Sequence, residues 1–298
     1  MSTKKVFRLI GKLYRLNRQA YTDYKERRAF LEQPKNFWCD FPERVFSSQR
    51  PVFFLSTGRC GTALITSVLN QVPGIKCYHK PVPEFTYLQR KAYEEGLSRF
   101  KSYKAAVCAA RFEYVAECVV RGKVYVETNC RITFFAPHLY ELFPHSRFVH
   151  LIRHPGRFVR SAVQRKYYKG GFLDIGRIRP IENVAYHSWP SMSSVERAAW
   201  LWNETNIFIE RFKENCDPAR ILTIKAEDIF SKPKAIKSII EYCGGKVPST
   251  IKLSKLIRRP INSQKGGVQV PKYEDWDDAE KNEVRRWASL AQKYYSEI

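Results

Sequence analysis

Acid is scarce in this chain: 29 Asp and Glu stand against 52 Lys and Arg over 298 residues, a formal charge of +23. Such a balance implies attraction to something anionic: nucleic acid, a membrane surface, a polyanionic glycan or a multiply charged cofactor. The eight cysteines form no CxxC pair and no His-linked ligand spacing, which argues against a zinc site or a disulfide framework. They read as reduced, mostly buried thiols of an intracellular, cytoplasmic protein. No metal is expected. Internal repeats and low-complexity segments are absent. Residues 1–30 hold no uninterrupted apolar stretch of the kind a signal peptide or membrane anchor requires.

What is there suffices for a sizeable core, since 44% of residues are apolar and 14% aromatic. Residues 1–50 read as a basic, helical segment in which Val6, Phe7, Leu9, Ile10, Leu13 and Tyr14 fall near helical spacing. Such a helix packs on its own domain or lies on a membrane surface. Residues 51–298 read as a single α/β domain. Short apolar runs at Val52–Leu55, Val124–Val126, Phe148–Ile152 and Ile221–Ile224 look like buried parallel strands. Helical patterns separate them, which predicts right-handed crossovers and an open, mainly parallel sheet flanked by helices. Ligands of such sheets bind at the carboxyl ends of the strands. Two stretches without period, near residues 168–194 and 258–276, read as functional loop insertions, and a last helix is expected from about Asp277.

Two strand-to-helix corners carry the chemistry. In "PVFFLSTGRCGTALITSVLN" an apolar run ends in Gly58-Arg59-Cys60-Gly61-Thr62-Ala63, followed at once by a helical pattern. Successive backbone N–H groups and a helix N-terminus at one spot form an anion site. Gly61 admits close approach, Thr62 adds a hydroxyl and Arg59 a permanent charge. A Walker loop needs Lys after its second Gly, and here Thr62-Ala63 stands instead, which disfavours an ATPase, GTPase or kinase. In "FVHLIRHPGRFVRSAV" Arg153 leaves a strand and Ser161 follows within a helix over the same sheet edge. A guanidinium fork and a hydroxyl converging there suit a phosphomonoester.

Together "GRCGTAL" and "RHPGRFVRS" resemble the two cofactor signatures of the P-loop-like sulfotransferases. The similarity continues in order through "YVETN", "AAWLWNETN", "ILTIKAEDIFSKP" and "QKGGVQVPKYEDW". This resemblance implies a P-loop nucleotide-binding-like fold and a donor, 3′-phosphoadenosine 5′-phosphosulfate. It assigns the 5′-phosphosulfate to the turn at residues 58–63, and the 3′-phosphate to Arg153 and Ser161 with Lys265 and Gly266. Two departures stand out. Ala226 occupies the place where a Tyr often helps hold the adenine, so stacking is expected from Trp200 or Trp202. Lys80 stands where glycan- and protein-sulfating relatives have Glu.

The resemblance implies in-line sulfuryl transfer to a hydroxyl or amine, with Arg59 and backbone donors stabilising the leaving phosphate. A base must take the acceptor's proton. Glu127 is the first candidate, at the end of its strand; His79 and Glu84 follow, and Asn129 is placed to orient sulfate or acceptor. The aromatic-rich loop suggests a glycan or other polar acceptor, possible peripheral membrane contact being left to the basic N-terminus. The alternative is a basic nucleic-acid-binding protein, motivated by "QRKYYKGGF", although no recognisable nucleic-acid module is present.

Overall fold

The computed structural model describes residues 40–182, 184–249 and 270–297. Its centre is a five-stranded, all-parallel sheet: β1 Val52–Leu55, β2 Ile75–Tyr78, β3 Val124–Glu127, β4 Arg147–Ile152 and β5 Ile221–Lys225, in the order β2-β3-β1-β4-β5. The four strands expected from apolar runs are all present, but β5 is not buried as expected: as an edge strand it has only half-buried and exposed residues. β2, an edge strand, carries Lys76 between Ile75 and Cys77 and alternates buried and half-buried residues, so it has no continuous apolar signature.

The helices are α1 Phe41–Ser47, α2 Thr62–Leu69, α3 Leu88–Glu95, α4 Phe100–Val120, α5 Ala136–Leu142 and α6 Pro155–Gln164. They continue with α7 Val184–Ser188, α8 Ser194–Glu214, α9 Ala226–Ser231, α10 Pro233–Tyr242 and α11 Asp278–Trp287. Alternation along β1 feeds two cores. Phe53 and Leu55 pack with Val107 and Val115 of α4, Phe158 of α6 and Trp202 of α8. Val52 and Phe54 pack with Leu64 and Ile65 of α2 and Ile236 and Ile239 of α10. Helices therefore cover both faces, as parallel strands buried on both sides require.

Local signals set several boundaries. Ser193 accepts from the Glu196 N–H at 3.1 Å while Glu196 accepts from the Ser193 N–H at 2.9 Å, a capping box that starts α8. Asp277 does the same for α11, in line with the expected last helix. Residues 100–120, where no element is expected from pattern alone, form the 21-residue α4. Its buried face, Tyr103, Val107, Arg111, Val115 and Cys118, has helical spacing but contains an arginine. The long insertion at 168–194 holds a 3-10 turn at Phe172–Gly176 and the short α7. Gly176 is needed there, because a Cβ would stand 1.6 Å from the Thr86 carbonyl oxygen. That close approach pins the insertion against the segment entering α3.

Candidate active site

β1 and β4 are adjacent, with Leu55 opposite His150, so the turns that leave their carboxyl ends share one edge of the sheet. The β1 turn is clamped from beneath. Ser56 donates its N–H to Thr133 Oγ1 at 3.0 Å, and the Thr133 hydroxyl donates back to the Ser56 carbonyl at 3.1 Å. Gly58, Arg59 and Gly61 then adopt left-handed backbone with φ of 79°, 59° and 85°. For Arg59 this is a strained conformation, of the kind concentrated at functional sites. Among the described residues no acceptor takes the N–H groups of Arg59, Cys60 and Gly61. Thr62 and Ala63 open α2, where the first N–H groups have no intrahelical partner. The turn is a row of free donors at the positive end of a helix. Cys60 contributes backbone only: burial pushes its thiol up to about 12, and Sγ donates to the Gly58 carbonyl at 3.0 Å.

The second corner meets the first. Arg153 Nη1 donates to the Arg59 carbonyl at 2.6 Å, and Arg59 Nε donates to Ser161 Oγ at 3.2 Å. Arg153 is steadied by its own carbonyl, which accepts from Trp202 Nε1 at 2.7 Å. Arg59, Arg153 and Ser161, drawn from segments about a hundred residues apart in sequence, thus form one continuous polar cluster. Lys265 and Gly266 lie outside the described residues.

The β1 turn also borders a cavity of about 370 Å³, lined by Thr57, Gly58, Arg59 and Thr62 together with His79 and Lys80. His79 follows β2 and sits on the rim. The hydroxyl of Thr66 lies 2.9 Å from the Thr62 carbonyl and 2.7 Å from Thr128 Oγ1, which also reaches the Tyr78 carbonyl at 3.5 Å. Thr128 Oγ1 faces His79 Nδ1 at 3.1 Å. In the tautomer in which Thr128 accepts, the proton is on Nδ1 and Nε2 keeps its lone pair. Partial burial, then the Lys80 charge, lower the His79 pKa from its ordinary value. The ring is therefore neutral near pH 7.

Glu127 differs from expectation. It is fully buried, with Oε1 and Oε2 accepting from Arg111 Nη2 and Nε at 2.9 and 2.8 Å, and Oε2 also from Tyr125 at 2.8 Å. It does not line the cavity. Its charge neutralises an arginine sealed under the sheet edge. Glu84 is paired with Arg131. Asn129 is buried too, capping the following 3-10 turn through Arg131 N–H and donating to the Glu84 carbonyl at 3.3 Å.

The expected adenine platforms are also corrected. Trp200 and Trp202 are 3% and 0% exposed, Trp200 packs edge-on to Trp189, and neither offers a free face. Phe230, 54% exposed on α9, does: its Cζ lies 2.8 Å from where a Cβ on Gly61 would be. That residue was missed, because one aromatic on the outer face of a short helix carries no sequence signal. Gly61 meets two demands at once, left-handed backbone and room for this ring.

With the turn, the Arg153–Ser161 corner and the parallel sheet in place, the comparison with known proteins is decisive. The model described as "Sulfotransferase family" matches residues 51–249, two thirds of the chain. The chain belongs to the sulfotransferase family. This membership makes it an enzyme and sets aside the nucleic-acid and kinase readings. No curated protein matches it significantly. Among solved structures, the sulfotransferase of Alicyclobacillus acidocaldarius is similar at 15% identity, over 83% of this chain and 98% of that one, with a TM-score of 0.46. Sulfotransferase STF9 of Mycobacterium avium is similar at 12% identity, over 88% and 80%, with a TM-score of 0.49. Mouse sulfotransferase SULT7A1, complexed with PAP, is similar at 12% identity, over 86% and 94%, with a TM-score of 0.45. The family assignment rests on the sequence match and not on these likenesses. Among the described residues of the sulfotransferase, no helix is long and apolar enough to cross a membrane.

Proposed function

We propose that this sulfotransferase moves a sulfuryl group from 3′-phosphoadenosine 5′-phosphosulfate to a hydroxyl or amine of a polar acceptor of the glycan kind. The observation that carries the reading is the Arg153–Arg59–Ser161 cluster beside the unpaired N–H groups of the β1 turn. The donor fits this arrangement. Free N–H groups and Arg59 suit the 5′-phosphosulfate, Arg153 and Ser161 suit the 3′-phosphate, and Phe230 gives the adenine a flat apolar face.

His79 is the base in this reading. Nε2 takes the acceptor's proton as the acceptor oxygen bonds to sulfur. The bond from sulfur to the bridging oxygen breaks, and its electron pair leaves with 3′-phosphoadenosine 5′-phosphate. Arg59 and the turn's N–H groups stabilise the charge that grows on that phosphate. Thr128 holds the imidazole in the competent tautomer.

Thermal shift with the full chain tests donor recognition. Adenosine 3′,5′-bisphosphate should raise Tm well above the effect of AMP or of ATP with magnesium, since only the former reaches Arg153 and Ser161 together with the turn. Equal shifts for all three nucleotides would remove the reading. Transfer is then followed with radiolabelled donor against glycans, lipids, peptides and phenols.

A further inference from the structure

We propose that the acceptor already carries an oxyanion (phosphate, sulfate or carboxylate) and that Lys80 and Arg165 grip it inside the cavity beside the β1 turn. This inference rests on the sulfuryl-transfer reading and adds the substrate's charge to it.

Among the described residues, five cationic side chains line that cavity, Arg59, Lys80, Arg131, Arg165 and Arg177, and no carboxylate does. Two of them are compensated from behind. Arg131 pairs with Glu84, and Arg177 pairs with Asp174 at 2.6 Å while stacking on Tyr167. Arg59 is tied to Ser161 and belongs to the donor side. Lys80 and Arg165 remain. Neither has an ion-pair partner among the described residues, and Arg165 Nε is shielded from solvent with no hydrogen-bond partner.

These two come from separate segments. Lys80 follows β2 in a left-handed conformation with φ of 59°, and Arg165 is the residue that ends α6. Lys80 is exposed and Arg165 half-buried, and each charge lies within reach of other cations. After burial, the charges of Arg131, Arg59 and Arg165 lower the Lys80 pKa, and burial and then Arg59 lower that of Arg165. Like charges gathered in a half-enclosed cavity repel, and an anion between them reverses the sign of that interaction. The donor's sulfuryl group meets Arg59 and the turn's donors, which leaves Lys80 and Arg165 for a second anion.

The rest of the cavity agrees. Phe134, Ile178 and Leu201 give it an apolar wall, and its 370 Å³ lies at the small end of the roughly 300–1,000 Å³ of ligand pockets. His79 shares the same space, so an acceptor anchored by its anion presents a neighbouring hydroxyl to Nε2.

Calorimetric titration of the full chain, saturated with adenosine 3′,5′-bisphosphate, decides the matter. The probes are glucose against glucose 6-phosphate, glucose against glucuronate, and inorganic phosphate. The charged members should bind about tenfold tighter than glucose or more, the size expected for charge-assisted hydrogen bonds. Lys80→Gln and Arg165→Gln should each remove most of that preference while leaving nucleotide affinity within about twofold, and Lys80→Arg should restore it. Circular dichroism checks that each variant is folded.

The proposal is overturned if the nucleotide binds but the charged probes do not outbind glucose. Preference intact in both Gln variants, or anion binding only when the nucleotide is absent, also overturns it. Failure of the nucleotide itself to bind removes the sulfuryl-transfer reading beneath it, and is recognisable as a separate result.

Discussion

Arg59 Nε donates to Ser161 Oγ at 3.2 Å across 102 residues of sequence, while Arg153 reaches back to the Arg59 carbonyl at 2.6 Å. One side chain thereby links the two corners to which the proposed function assigns the donor's phosphates. A ligand spanning the two would replace an existing contact with its own, so the corners are preorganised and no rearrangement of the sheet is needed.

The two arginines should separate binding from turnover. Arg153→Ala should weaken affinity for adenosine 3′,5′-bisphosphate roughly 10- to 100-fold, the cost of one or two charge-assisted hydrogen bonds. Arg59→Ala should depress kcat more than affinity, because charge on the leaving phosphate grows in the transition state. Calorimetry and steady-state kinetics on both variants measure this. Small and equal effects from the two would remove the cluster from the mechanism.

His79→Gln should lower kcat by roughly two to four orders of magnitude, as loss of a general base does. The pH profile carries a sign. Burial and the Lys80 charge lower the His79 pKa, so the active neutral form prevails at pH 7. Activity should fall as pH drops below the ordinary value of about 6.5. Thr128→Val removes the acceptor for Nδ1–H, and should cost about tenfold in kcat and move the acidic limb. An unchanged limb in that variant would leave Thr128 a structural residue.

Glu127 offers a test of the opposite kind. Breaking a buried ion pair by removing one partner's charge costs on the order of 3–5 kcal/mol. Glu127→Gln should therefore lower Tm strongly, and Arg111→Met added to it should recover part of the loss. Were Glu127→Gln to abolish turnover at unchanged Tm, the carboxylate would be catalytic after all.

Two buried histidines predict acid lability. Burial lowers His138 to about 4 and His150 to about 3, against about 6.5 in the unfolded chain. Below 6.5 the unfolded state binds more protons than the folded one, so stability present at neutral pH is lost as pH falls from about 6.5 toward 4. Each pKa unit of depression corresponds to about 1.4 kcal/mol. His138 stacks on Phe100 with ring centroids 4.2 Å apart, so His138→Phe keeps the packing and should flatten the dependence. Urea denaturation between pH 7 and pH 4 reads it directly, and a flat wild-type profile contradicts it.

The sequence by itself determined four of the sheet's five strands and both corners. Apolar runs such as Val52–Leu55 encode burial on two faces, and the glycines around Arg59 encode a turn that other residues resist. These are local properties, legible within a few residues. Tertiary structure alone decided what lay between distant segments. Glu127, which ends β3, and His79, which follows β2, are both candidates in sequence, since each stands at the same edge. Arg111, sixteen residues before Glu127 on α4, claims the carboxylate, and Thr128 turns the imidazole toward the cavity. Lys80, Arg131 and Arg165 are scattered basic residues until the chain folds. Their charges matter through separation in space, which sequence spacing does not encode.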